Sequence, residues 1–283
     1  MTVVEALPTP QASRIPQRLR LNVWDVPPIL FLLLIAAMII APGTIAPYDP
    51  LQENPALPLA GPTLAHPFGT DYIGRDLLSR VIAGTAATIA GSFIAVIIGL
   101  LAGTILGLLA AYFGRATDSI ISRIIDVLLS IPTLLLSITI IVALGFGTVN
   151  VAIAVGVSLI ANFARVMRSE VLRVRRSLYV EAAFASGVRW HTVLRRHVLR
   201  NSYAPVVALA AVEFGMAVLA VSSLSFLGFG AVPPTPEWGS LISEGRNYLA
   251  TAWWMTTLPG LVIVAVVLSA HRLGHALEQR EVR

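Results

Sequence analysis

The chain carries no Lys and no Cys, and its twenty basic residues are all Arg. Each absence removes a chemistry. A P-loop needs a Lys within G-x-x-x-x-G-K-[ST] to reach the β- and γ-phosphates, so ATP hydrolysis by that route has to come from a partner. A Schiff-base Lys, a thiolate nucleophile and a disulfide are excluded with it. No Ser/His/Asp set, paired acids or metal-ligand cluster gathers near one interface. His271 and His275 have the i, i+4 spacing that can clip a metal. Two ligands without an acid or thiol make a weak site, and the end of an interfacial helix accounts for them. The pattern predicts neither an enzyme nor a metal or cofactor held by this chain. Glu213 is the one acid deep in an apolar run, about 13 Å into a helix that starts near Ala204. Carboxylates inside a membrane are costly and face a cavity or a partner. Two roles stay open: it lines a pathway and attracts a cationic end of the solute, or it hydrogen-bonds a neighbouring helix.

The elements that position these residues read as membrane spans. Of 283 residues, 56% are hydrophobic and 12% charged, with mean hydropathy +0.80. A soluble domain carries about a quarter charged residues, and this length has room for about six spans of about 20 residues. Residues 1–26 form a polar tail with Arg14, Arg18 and Arg20. Pro27 and Pro28 suit the first turn of a helix, and an apolar run follows from Ile29 to Ala41, taken as an uncleaved first span. Residues 47–80 are loop-like, with a short helix expected from Asp76. The second run, Val81–Tyr112, is about 46 Å long if helical and carries Gly99, Gly103 and Gly107 four apart on one face. Such a row lets another backbone approach closely. A third span is expected over about Ser119–Leu144 with Pro132 as a kink, and a fourth over about Val149–Ala164. The fifth covers about Ala204–Leu227 and the sixth about Trp253–Ala270.

Positive charge in short loops stays on the cytoplasmic side. The loop from 165 to 200 holds nine Arg, each terminus three, and Arg115 and Arg123 complete seventeen, against Arg75, Arg80 and Arg246 on the other side. Six spans then put both termini and the 165–200 loop in the cytoplasm.

That loop reads as helix, turn, helix. The first piece ends in Glu181-Ala182-Ala183-Phe184-Ala185-Ser186, and Gly187 suits an αL stop. Trp190, Val193, Leu194, His197 and Val198 then form an apolar stripe on a helix otherwise rich in Arg. Anionic lipid alone would accept such a helix. It does not require the small Ala182-Ala183 surface, which lets a partner's groove close around it.

Glu181-Ala182-Ala183-x-x-x-Gly187, continuing to His197-Val198-Leu199-Arg200-Asn201, resembles the EAA loop of ABC-importer permeases. Phe68-Gly69-Thr70-Asp71 with Gly74-Arg75-Asp76-Leu77-Leu78-Ser79-Arg80 resembles the segment before the second span in the dipeptide/oligopeptide/nickel permeases. Arg123-x-x-Asp126 with Pro132 resembles their third span. Ser225-Phe226-Leu227-Gly228, Pro233-Pro234-x-Pro236-x-Trp238-Gly239 and Glu244-Gly245-Arg246 are similar to their last extracytoplasmic loop. Together these matches favour the C-type subunit.

The resemblance implies an all-α membrane protein with six transmembrane helices in the type I importer fold. In that arrangement 27–80 holds the first helix plus an extracytoplasmic segment, and 81–283 is the permease core with a coupling loop at about 167–203. It also implies a heterodimer with a second homologous permease, two cytoplasmic ATPases that hold ATP and Mg, and an extracytoplasmic solute-binding protein. The setting is a bacterial or archaeal cytoplasmic membrane, with lipid around it and no nucleic-acid role. Glu181, Ala182, Ala183, Gly187, Trp190, His197 and Asn201 are the expected ATPase-coupling residues. Glu213, Ser222 and Ser225 are expected in the translocation pathway, where Glu213 would attract a peptide amino terminus. Dipeptides, longer peptides, glutathione-like conjugates and nickel complexes all remain as substrates, and a self-sufficient secondary transporter is the competing class. The chain departs from the family at Arg200, where a Pro usually precedes the Asn, and at Val221, where an acid is common.

Overall fold

The computed structural model describes the backbone of residues 23–281 and side chains through residue 276. Arg14, Arg18 and Arg20, and most of the expected N-terminal tail, lie outside the described residues. All regular elements described are helical: α1 (Val26–Ile40), a short α2 (Pro42–Ile45), α3 (Leu77–Phe113), α4 (Arg115–Ser130), α5 (Thr133–Leu144), α6 (Thr148–Arg175), α7 (Leu178–Ala185), α8 (Trp190–Val193), a π-helical turn (Leu194–Leu199), α9 (Arg200–Phe226), α10 (Trp238–Gly245) and α11 (Trp254–Glu281). Five helical stretches are long and apolar enough to cross a membrane, and six if α4 and α5 count as one span.

Two expectations from the sequence change here. The short helix from Asp76 is not separate. Asp76 caps α3 directly, accepting from Ser79 N at 2.8 Å and Ser79 Oγ at 2.7 Å, so one helix runs 37 residues. The third span is not a kinked helix but two helices bent by 97°. Pro132 restricts the residue before it to extended backbone, and Ile131 takes φ −98° and ψ 128°. At 12 residues α5 is about 18 Å long, short of a hydrocarbon core of about 30 Å. The amphipathic α4 therefore lies at the basic end of the bundle. There Arg168 grips Asp118 with two bonds of 2.6 and 2.7 Å.

The core is the pair α3–α6, and glycine makes it. A Cβ on Gly99 would lie 2.7 Å from Leu159 Cβ, and one on Gly103 would lie 2.5 Å from Phe163 Cβ and 2.6 Å from the Ile160 carbonyl. Gly107 abuts the Ala164 carbonyl, and from the other side Gly156 meets Ala95 and Ile98. The four-residue row thus faces α6 along its length. Buried Val151, Val155, Leu159, Phe163 and Met167 of α6 complete the contact. Of the remaining long helices, α9 packs on both members of this pair, α1 on α3, and α11 on α9 and α1.

At the end opposite the basic loop, the chain between α9 and α11 folds back into the bundle. Trp238 is fully buried, and its Nε1 donates to Val81 O at 3.0 Å. Glu237, also fully buried, accepts from Ser225 Oγ at 2.6 Å and Ala231 N at 3.0 Å. Beside it, Arg75 and Arg80 share Asp71 Oδ2 at 2.6 Å each and reach Glu244 at 3.4 and 3.1 Å. The last turn of α10 is thereby clasped to the start of α3.

Candidate functional site

The loop between α6 and α9 hangs below the bundle yet is tied to it. Arg175 Nη1 donates to the Ala111 and Tyr112 carbonyls at 3.0 and 2.7 Å. It thus satisfies carbonyls that the end of α3 leaves open. Its guanidinium also stacks 5.7 Å from the Tyr112 ring. Tyr112 Oη in turn donates to Trp190 O at 3.0 Å, and the Trp190 ring packs against Tyr112 and Phe113 at 6.0 and 6.2 Å. Val180, Val193 and Val198 are fully buried beneath the loop. These contacts tie the loop to the basic end of α3.

What the loop presents outward is apolar. Leu178 is 82% exposed, Trp190 54%, and Phe184 lies exposed between them. Glu181 and Ala182 are exposed and Ala183 half-buried. Gly187 takes φ +75° with open space around it, the left-handed conformation that suits glycine. Exposed apolar patches on a loop rimmed by charge mark an interaction surface.

The expected single stripe from Trp190 to Val198 needs correcting. Leu194–Leu199 is π-helical, and its i→i+5 spacing turns Val193 and Val198 inward together. Trp190 stays outside, and His197 is half-buried beside Tyr179 at 6.3 Å. Asn201 is exposed, its Nδ2 donating to His197 O at 2.5 Å. The second half of the loop then passes into α9 without a break. Trp190–Phe226 forms one 37-residue stretch with Arg200 exposed at the junction and Pro205 inside it.

Thirteen residues along α9, about 20 Å from either end, stands Glu213. It is 8% exposed and accepts from Asn162 Nδ2 of α6 at 2.9 Å. The same carboxylate lines a cleft of about 280 Å³ with Thr133 and Leu134 of α5, Val155, Leu159 and Asn162 of α6, and Met216, Leu219, Ala220 and Ser223 of α9. Glu213 bonds a neighbouring helix and also faces a cavity.

Ser222 and Ser225 are placed elsewhere. They occupy the opposite face of α9, where a Cβ on Gly239 would strike the Ser222 carbonyl and Ser225 is bonded to Glu237. The serine in the cleft wall is Ser223. Asn162 went unnoticed in the sequence, although a lone amide in the apolar run Val151–Ala164 was a usable signal. The Asp71–Arg75–Arg80–Glu244 clasp carried no such signal, because its halves lie over 160 positions apart. The His271 and His275 Nε2 atoms lie 3.1 Å apart, and no group of three metal-ligating side chains occurs among the described residues.

With this geometry in view, the likenesses to known proteins are specific. Residues 103–283 match the family described as the binding-protein-dependent transport system inner membrane component. The dipeptide transport system permease protein of Alkalihalophilus pseudofirmus is 38% identical over 226 residues, 80% of this chain and 74% of that one. The probable D,D-dipeptide permease of Escherichia coli is 36% identical, over 88% of this chain and 83% of its own. The glutathione transport system permease of Pectobacterium atrosepticum is 38% identical, over 81% and 74%. Among solved structures, an amino acid ABC transporter superposes with TM-score 0.57 at 17% identity, covering 72% of this chain and 94% of its own. An inward-facing methionine ABC transporter gives 0.55 at 18%, covering 71% and 96%. These two share the fold. The chain belongs to the binding-protein-dependent transport system inner membrane component family: it is a permease subunit of an ABC importer, not an enzyme, and ATP is hydrolysed in separate ATPase subunits.

Proposed function

We propose that this subunit forms half of a translocation pathway for di- or oligopeptides across the bacterial cytoplasmic membrane. It does so with six spans, α4 and α5 together making the third, and with both termini cytoplasmic. Its partners are a second homologous permease, two cytoplasmic ATPases carrying ATP and Mg, and an extracytoplasmic solute-binding protein. The observation that carries this reading is the apolar loop end at Leu178, Phe184 and Trp190, continuous through α9 with the helix that bears Glu213. Glu181, Ala182, Ala183 and Gly187 form the seat for the ATPase, and Trp190, His197 and Asn201 carry its movement into α9. The loop must fit the open and closed ATPase unequally, or nucleotide could not bias the membrane helices.

The cleft at Glu213 opens on the side where Met216, Leu219 and Leu134 are exposed. A second permease subunit closes it there. Peptides are favoured as substrate because relatives at 36–38% identity carry dipeptide names over most of both chains. A relative named for glutathione at 38% identity supports glutathione as the second reading.

The test is ATPase stimulation of the reconstituted complex with its binding protein, across dipeptides, tripeptides, longer peptides, glutathione and nickel chelates. Peptides should stimulate hydrolysis. Stimulation by glutathione or a nickel chelate alone would overturn the peptide assignment.

A further inference from the structure

We propose that Glu213 and Asn162 form a subsite for the α-ammonium group of the translocated peptide, a reading that rests on the permease function above. The starting point is a charge without a counter-charge. Glu213 lies midway along a membrane helix, and no Arg or His pairs with it among the described residues. Taking a carboxylate out of water is costly unless a cation and hydrogen bonds replace the lost hydration. Asn162 supplies one hydrogen bond and no charge.

The hydrogen-bond inventory of the pair then selects the ligand. Asn162 turns its amide NH₂ to Glu213 Oε1, which holds the carboxylate in one orientation. Glu213 Oε2 and the Asn162 carbonyl oxygen remain as acceptors, with the second N–H of the Asn162 amide as a donor. The rest of the near wall, Leu159, Val155, Met216 and Leu134, offers no donor side chain. A site whose charge is one carboxylate, with acceptors beside it, suits a group with several N–H donors and a positive charge, which an ammonium is. A carboxylate or phosphate is repelled by the Glu213 charge.

The Ser223 hydroxyl of the cleft wall fits the same polarity. Ser223 gives its proton to Leu219 O at 2.7 Å, so it too offers lone pairs to the cleft. It stands ten residues along α9, about 15 Å from Glu213, too far to share the ammonium. The apolar wall between them can receive side chains of many kinds. The subsite thus selects the end of the peptide that all peptides share and leaves the rest unread. Because Glu213 rides on the helix continuous with the coupling loop, a turn of α9 that follows the ATPase also moves the carboxylate.

The deciding experiment measures binding of radiolabelled Ala-Ala to the purified permease–ATPase complex, without binding protein, so that the latter's own selectivity does not enter. Competitors are the Ala-Ala methyl ester, which keeps the amine, and N-acetyl-Ala-Ala, which does not. The ester should compete and the acetylated peptide should not. Glu213→Gln should weaken binding by about tenfold or more, the scale of one charge-assisted hydrogen bond, while still co-purifying with the ATPase. Glu213→Asp should keep the preference for the ester. Equal competition by the two blocked peptides in the wild type would overturn the subsite, whatever the variants do. Failure of the peptide reading itself shows separately, as wild-type complex with binding protein that no peptide stimulates.

Discussion

Glu244 meets Arg75, Arg80 and Asp71 at the end of the bundle away from the coupling loop, and its protonation is coupled to folding. Burial pushes its carboxyl up to about 7, with Arg75 pulling down and Asp71 pushing up. The folded pKa lies above the ordinary 4.5, so the stability this group contributes is fully present below about 4.5. It is lost as pH rises through about 7. Thermal unfolding of detergent-solubilised protein should therefore show a wild-type advantage over Glu244→Gln that is larger at pH 5 than at pH 8. A difference independent of pH would contradict the assignment. Glycine acts at the same scale by absence. A side chain at Gly103 would collide with Phe163 Cβ and the Ile160 carbonyl. Backbone cannot yield as a flexible side chain does, so Gly103→Leu should cost at least the 1–3 kcal/mol, roughly, of an overpacked core. The readout is a sharp loss of folded protein on size-exclusion chromatography, with Gly260→Ala as a control that has open space around it. The glycine row was legible because its four-residue spacing is local. The Asn162–Glu213 bond was not, since it joins positions 51 apart and only the packing of α6 on α9 selects that pairing.

Among the elements, the loop between α6 and α9 was readable in outline and wrong in detail. Glu181, Ala182, Ala183 and Gly187 announced a short helix and a turn, and α7 ends two residues before Gly187. The π-helical turn at Leu194–Leu199 had no local signal, because its residues suit an α-helix equally well. Burial of Val193 and Val198 together is what distinguishes the two. Pro132 marked a kink, but the 97° break depends on where α4 finds its partner, the Asp118–Arg168 pair. The loop's turn gives a direct prediction. A β-branched residue at Gly187 meets a positive φ that costs about 1–2 kcal/mol. Gly187→Val should re-aim Phe184 against Trp190 and lower peptide-stimulated uptake several-fold, with amounts of membrane-inserted permease unchanged. Unchanged uptake by this variant would mean that the turn does not set the ATPase seat.

As a whole, the described bundle carries one long helical stretch that joins its basic loop to the Glu213 cleft. From Trp190 to Glu213 the chain is helical for about 35 Å, through the π-helical turn and Pro205, which gives the proposed function a continuous helical path from loop to cleft. Ile120, Ile124 and Val127 of α4 and Leu135 and Val142 of α5 are exposed on the side that the second subunit or lipid must cover. Their exposure was not readable from composition, because a membrane helix is apolar all round whether it faces lipid, a partner or its own bundle. Membership of the importer family, by contrast, was legible from the loop, the segment before α3 and the Pro-rich return before α10 taken in order. The proposed function requires that this chain move solute only when an ATPase works on its loop. The direct measurement is uptake of labelled dipeptide into proteoliposomes holding both permeases and the binding protein, with and without the ATPase subunits and ATP. Accumulation above the external concentration is expected with all components present, and none without the ATPase. Accumulation by the permeases alone would contradict it.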